Sequence, residues 1–401
     1  MAKFGKPEIG KFGRPEVGPE IGPEIRPEIG PEARDLSRRR MLRNVGTTAA
    51  AASIIGALAA CDSKSSSASA ATSVTSTNGY HNPWPKYPSY NFALVCHVTA
   101  DPFFVPTRAG ANDMCALLGC SYTWTGSEND IVPEMVDAFT VAVNDKVDGI
   151  GCCIVDPTAF NAVTNKALDQ GIPVVAYNAE APVGAGNNAM SYVGQDLYSA
   201  GVAVATRILK YVKAGDLVGG MISVPGSLNE QPRMDGAASV FKQAGVDFVQ
   251  VGVGATEGPA LAAIEAWYQG HQNVKFMFSS GGSNGVAVAT AIQKLGLASK
   301  GVGGAAFDVG VPVLDLISKG QLAFTVDQQA YLQGAMSIYQ LFLYNITGGL
   351  ITPVDVNTGF KYVDSANVSD YVSRQDSWEG SSTTPVVYTP PTSIKGYGGT
   401  T

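Results

Sequence analysis

Asn91-Phe92-Ala93-Leu94-Val95-Cys96-His97-Val98-Thr99-Ala100-Asp101-Pro102-Phe103-Phe104 is an apolar run that ends in a polar turn and passes into an amphipathic segment. The run 92–98 lacks the polar alternation of a half-exposed strand, and 103–118 carries helical spacing. The unit then repeats. Strand 120–124, helix 130–145, strand 149–155, helix 158–169 and strand 173–177 complete a first series. A second follows: helix 196–212, strand 217–224, helix 230–244, strand 248–251, helix 257–269, strand 274–278, helix 284–295, strand 301–307, helix 310–319, strand 323–326 and helix 329–346. Strands and helices alternating at this rhythm give an α/β fold, and two series give two doubly wound parallel-sheet lobes.

In such sheets, ligands collect where strand C-termini meet loops and helix N-termini. The segments at those ends are 99–104, 156–158, 177–180, 225–233, 279–285, 307–308 and 327–329. They are rich in groups that suit a polyhydroxylated solute. Phe103 and Phe104 can cover an apolar ring face with few rotatable bonds, although Phe104 reads equally well as lobe core. Asp101 and Asp308 can accept from hydroxyls, while Arg233 donates through a planar fork and can balance a buried carboxylate. Asn178 and Gln328 offer both a donor and an acceptor. Asn284 and Trp124 are further wall candidates. Bland readings stand beside these: Asp101 as a helix cap, Asn178 as a turn residue, Arg233 as a solvated helix-start arginine, Trp124 as core.

Composition narrows the classes. The 401 residues carry 34 acidic and 27 basic side chains, with no basic stripe for nucleic acid. Roughly 285 residues between the flanks exceed one typical core. Cys96, Cys152 and Cys153 lie in strand-like runs and read as buried free thiols; Cys115 and Cys120 can pair if the helix end between them allows it. The histidines, 81, 97 and 271, show no zinc-ligand spacing to a cysteine, so no metal site and no cofactor are expected.

The flanks speak of address. Ser37-Arg38-Arg39-Arg40-Met41-Leu42-Arg43 precedes an uncharged run, 45–60, too short and too rich in Ala and Gly to span a bilayer, which reads as a signal peptide. Its arginines resemble a twin-arginine export signal, and Leu58-Ala59-Ala60-Cys61 resembles a bacterial lipoprotein cleavage box, making Cys61 the expected lipidation site. Residues 1–36 repeat Pro-Glu-Ile-Gly variants from Pro7 to Pro31, which cannot pack a core. The expected order is a leader and signal peptide at 1–60, a flexible spacer at 61–89, lobe 1 from 90–195 and 329–351, lobe 2 from 196–328 and 352–365, and a tail at 366–401, loosely ordered from about 373.

Several motifs carry a family likeness in their order. They are Asp101-Pro102-Phe103-Phe104 after strand one, Gly171-Ile172-Pro173-Val174-Val175, Tyr192-Val193-Gly194-Gln195-Asp196, Arg233-x-x-Gly236, Asp308, and Asp327-Gln328-Gln329-Ala330-Tyr331-Leu332-Gln333-Gly334. Over 91–365 the chain resembles the type I periplasmic binding proteins of bacterial sugar ABC importers. The resemblance implies a three-crossing hinge near Gln195, Asp196, Gln328 and Pro353, a monosaccharide or polyol ligand, a permease and ATPase complex as partner, a lipid-anchored extracytoplasmic location and a monomer. It places ligand contacts at Asp101, Phe103, Phe104, Asn178, Arg233, Asp308 and Gln328. Asn178-Ala179 stands where ribose-type receptors show Asp-Arg, and 281–285 replaces the usual Asn-Asp segment, so a larger, less charged or acyclic ligand is open. Two rival readings remain. One is a receptor presenting a furanose-type signal to a sensor; the other is an exported carbohydrate-active enzyme using Asp101 and Asp308. No glycine-rich turn follows the first strand, which excludes a nicotinamide dehydrogenase.

Overall fold

The computed structural model describes residues 86–378. The leader, the Cys61 box, most of the spacer and the end of the tail lie outside them. Central strands form from uninterrupted apolar sequence because both their faces are covered by helices. In chain order, β1 (Asn91–Cys96), α1 (Phe104–Leu118), β2 (Ser121–Gly126), α2 (Val132–Asn144), β3 (Gly149–Cys152), α3 (Asn161–Asp169), β4 (Val174–Tyr177) and β5 (Tyr192–Gly194) build the first lobe. The second begins with α4 (Leu197–Ile208), β6 (Leu217–Ile222), α5 (Gln231–Ala244), β7 (Asp247–Gly252), α6 (Glu257–Gly270) and β8 (Val274–Ser279). It continues through α7 (Gly282–Lys294), β9 (Gly303–Ala305), α8 (Val311–Ser318) and β10 (Phe324–Asp327). Helix α9 (Ala330–Ile346) returns to the first lobe, followed by β11 (Val356–Asn357), β12 (Lys361–Asp364) and α10 (Val368–Trp378).

The sheets run β11-β5-β4-β3-β1-β2 and β12-β10-β9-β8-β6-β7. Both follow one doubly wound order, and every pairing is parallel except β10 with β12. Residues of β1, β3 and β6 are almost wholly buried, whereas β2 and β7, at the sheet edges, are half-exposed. The start of α4 is fixed by Asp196, whose carboxylate accepts from the Ser199 amide at 3.0 Å.

Three elements differ from the sequence expectation. Residues 192–194, read as the start of a crossing, form β5. The segment 352–365, read wholly as lobe 2, is divided: β11 pairs with β5 of the first sheet and only β12 joins the second. The third crossing therefore falls at Thr358 and Gly359 instead of near Pro353. Residues 368–378, read wholly as tail and as loosely ordered from about 373, are helical, with Val368 buried in the second lobe's core and Tyr371 donating to Asp327 at 3.1 Å. Strands as short as β5 and β11 lack the length that makes periodicity visible.

The three crossings are tied together. The Thr358 amide donates to Gly194 O at 2.8 Å, its hydroxyl to Gln328 O at 2.8 Å, and Gln195 Nε2 to Gly359 O at 3.3 Å. Helices α1 and α9 meet closely beside them. A Cβ on Gly334 would lie 1.8 Å from Thr107 O, so only glycine permits this contact. Gly334→Ala is expected to lower stability by about 3 kcal/mol, read as a fall in the urea midpoint at unchanged slope. An unchanged midpoint would show that the helices can separate at no cost.

Candidate ligand-binding site

One cavity of about 50 Å³ lies between the lobes. Both lobes line it. From the first come His97, Asp101, Phe103, Phe104, Asp130 and Asn178, at or beyond the C-terminal ends of β1, β2 and β4. From the second come Ser223, Asn229, Glu230, Arg233, Ser280, Asn284 and Asp308, with Gln328 on the second crossing. Eight of the nine residues expected from sequence thus line this one cavity. Trp124 does not line it: its indole donates to Thr99 O at 3.1 Å and its ring lies 5.6 Å from that of Phe104, so it supports the wall from behind.

The bland and functional readings often coincide in one residue. Asp101 does accept from the Phe103 amide at 2.8 Å, which turns the chain into α1, and it still lines the cavity. Phe104 is fully buried, as core, with Phe103 edge-on at 4.8 Å. Asn178 turns the chain at φ 63° and Asp308 at φ 74°, both in the left-handed region that side chains seldom adopt. Strained backbone at two strand ends aims both side chains at the cavity.

Arg233 is 3% exposed, and its guanidinium is held on several sides. Nε and Nη2 donate to Gln195 Oε1 at 3.1 and 3.0 Å, and Nη1 donates to Ser280 O at 2.9 Å and Asn229 O at 3.3 Å. Its plane lies 4.4 Å from the Phe307 centroid. Among the described residues no carboxylate lies within ion-pair distance of it, because Gln195 and backbone carbonyls occupy its donors, so it balances a carboxylate without direct pairing. Its charge still reaches Asp308 through space.

Asp308 is the end of a polarised chain. Asn178 Nδ2 donates to Gln333 Oε1 (3.3 Å), Gln333 Nε2 to Gln328 Oε1 (3.1 Å) and Gln328 Nε2 to Asp308 Oδ1 (2.6 Å), while the Gly282 amide donates to Oδ2 (3.1 Å). Burial nevertheless pushes the Asp308 carboxyl up to about 6, against the opposing pull of Arg233 and Gln328. Burial also raises Asp101 and Asp130. At the other end of the chain, Asn178 Oδ1 is buried with no hydrogen-bond partner. A buried acceptor without a partner is rare in folded proteins.

Sequence reasoning missed His97, Asp130, Ser223, Glu230 and Ser280 as individual residues. Glu230 accepts from the Ser223 amide (2.7 Å) and the Ser280 hydroxyl (2.6 Å), shaping the second-lobe wall. Its signal was its place, three residues before Arg233 at a helix start. Asn284 is satisfied by protein: with Nδ2 donating to Gly254 O at 3.0 Å, its oxygen accepts from Ser223. Glu180 is exposed and lies outside the cavity lining. The lobes also touch directly, through the Leu228 amide on Val155 O at 2.9 Å and His97 Nε2 against Asn229 Nδ2 at 3.1 Å.

A hinged pair of doubly wound lobes around a polar cavity defines a solute-binding protein of the periplasmic type. Residues 92–347 match the family model described as a periplasmic binding protein domain, and the chain belongs to that family. It is 33% identical over 366 residues to the xylose/arabinose-binding protein XylF of Sulfolobus acidocaldarius, covering 87% of this chain and 90% of that protein. It is 26% identical over 286 residues to the D-ribose/D-allose-binding protein of Pseudomonas aeruginosa, covering 67% of this chain and 85% of that one. Among solved structures, a Burkholderia graminis ABC-transporter solute-binding protein in complex with D-arabinose superposes with a TM-score of 0.67 at 23% identity, over 72% of this chain and 99% of the other.

Proposed function

We propose that this chain is the extracytoplasmic receptor of an ABC importer, capturing a monosaccharide or polyol between closing lobes and presenting the closed form to a permease. The observation that carries the reading is the cavity itself. It joins two aromatic rings, four carboxylates, one arginine fork and an orphaned amide oxygen across a three-strand hinge. Phe103 and Phe104 offer the ring face a partner, Asn178 Oδ1 and Asp308 accept hydrogen bonds from hydroxyls, and Arg233 donates to a hydroxyl oxygen. Asp101, Gln328 and Asn284 complete the rim. Ligand contacts to both lobes favour the closed form by their differential affinity.

The sugars named for the relatives, xylose with arabinose and ribose with allose, support a pentose or a similarly sized polyol as the first candidate. No reaction is assigned to the carboxylates, so the ligand leaves unchanged. Cys61 is proposed as a lipid tether holding the domain at the outer face of the membrane, after export by the arginine signal, with a spacer that ends at residue 86 instead of 89 because Tyr87 packs on lobe 1 and donates to Leu118 O at 2.6 Å. Lobe 1 is proposed as 87–195 with 329–357, and lobe 2 as 196–328 with 360–378.

Purified protein heated with pentoses, hexoses, polyols and inositols in turn is expected to melt several degrees higher with the right solute, because binding stabilises only the native state. Recovery of that solute unaltered after incubation supports a receptor. Accumulating product, or no shift with any of these solutes, would overturn the reading.

A further inference from the structure

Behind the cavity wall, Cys96 at the end of β1, His97 beside it and Cys153 just beyond β3 gather their side-chain donors within 4.8 Å of one another, all buried. Sequence spacing gave no hint of it, since Cys153 is distant along the chain and comes alongside only because β1 pairs with β3 in register. The Cys153 amide donates to Val95 O at 2.9 Å, which fixes that register at the cluster.

We propose that Cys96, His97 and Cys153 form a binding site for one thiophilic divalent cation of the zinc class. The donor set is soft, two thiols and an imidazole, the combination that selects zinc and its heavier relatives over calcium or magnesium. Around a tetrahedral ion, sulfur and nitrogen donors stand about 3.4–3.8 Å apart, so a shift of about 1 Å closes the set. Two thiolates neutralise a divalent ion, which a site without solvent requires.

His97 supplies an independent sign. Its Nε2 faces Asn229, while Nδ1 is buried with no hydrogen-bond partner. A buried ring nitrogen without a partner is rare and suits an ion. With a metal on Nδ1, Nε2 must carry the ring proton and donate across the cleft to the Asn229 amide oxygen, once that amide turns over. The partner of the free nitrogen orients the ligating one, as in other metal-bound histidines. The ion would then brace the first lobe's side of the direct lobe contact.

The test uses the full chain, reduced and freed of metal, titrated with Cd²⁺ alone. A thiolate-to-cadmium charge-transfer band in the ultraviolet is expected to saturate at about one equivalent per chain. The band should vanish in Cys153→Ala and in Cys96→Ala, and persist in the double variant Cys115→Ala/Cys120→Ala, with far-ultraviolet circular dichroism reporting that each variant is folded. Because the buried variants can fail to fold, zinc-edge absorption of the wild-type protein gives a second readout: two sulfurs at about 2.3 Å and a nitrogen at about 2.0 Å. No band in folded wild-type protein overturns the proposal. So does a band lost only with Cys115 and Cys120, or a Cys96–Cys153 disulfide found by mass spectrometry in the exported protein.

Discussion

Arg233→Ala is expected to weaken solute binding on the order of a thousandfold, the cost of truncating one member of a buried, hydrogen-bonded charge set. A guanidinium has five N–H donors. Four are used, two on Gln195 and two on the carbonyls of Ser280 and Asn229, which leaves one Nη2 hydrogen for the cavity. The loss is therefore compound. The solute forfeits a charged donor, Asp308 forfeits the cation that opposes its protonation, and Gln195, at the first crossing, loses the group that holds its amide. Arg233→Lys separates these effects, since it restores the charge without the fork and should recover only part of the affinity. Calorimetric titration reads both variants, and a thermal melt of the ligand-free protein reports whether the hinge has loosened. An Arg233→Ala affinity within about threefold of wild type would remove Arg233 from the binding set.

How much of this was legible beforehand depends on length scale. The long elements were visible because burial on both faces writes continuous apolar runs for strands, as in β6, and α1 and α9 are long enough to show a period. The short ones were not: β5 and β11 span too few residues, and their identity comes from pairing with each other. The cavity residues were found by place, at strand ends, which is why Asp101, Asn178, Asp308 and Gln328 emerged together. What sequence could not supply was the division of labour. That Arg233 grips Gln195 instead of a carboxylate, and that Gln333 links Asn178 to Gln328, are facts of side-chain direction from helices of opposite ends of the chain. His97 escaped for a related reason: its neighbours Asn229 and Cys153 are distant in sequence and meet only through lobe contact and strand register.

Solute affinity is expected to rise with pH through about 6, by about tenfold for each unit that the solute lowers the Asp308 value. Burial holds this carboxyl above its value in the unfolded chain, so the ligand-free fold is favoured below the unfolded value, and that contribution is lost as pH rises through about 6. A shift of this size is worth roughly 3 kcal/mol at full ionisation. A hydroxyl donating to Asp308 reverses the balance, because it stabilises the ionised form in the same dry cavity. Protons and solute therefore compete, and affinity is lowest where Asp308 is neutral. Asp308→Asn isolates the carboxylate: the amide weakens binding at every pH, since either Gln328 or the Gly282 amide then faces an N–H, but the slope should flatten. Calorimetry from pH 4.5 to pH 7.5 on both proteins measures it. A wild-type affinity that does not change across that range, or a slope that survives intact in Asp308→Asn, would mean that the solute does not bond to this carboxylate and that the polarised chain ending there serves the hinge alone.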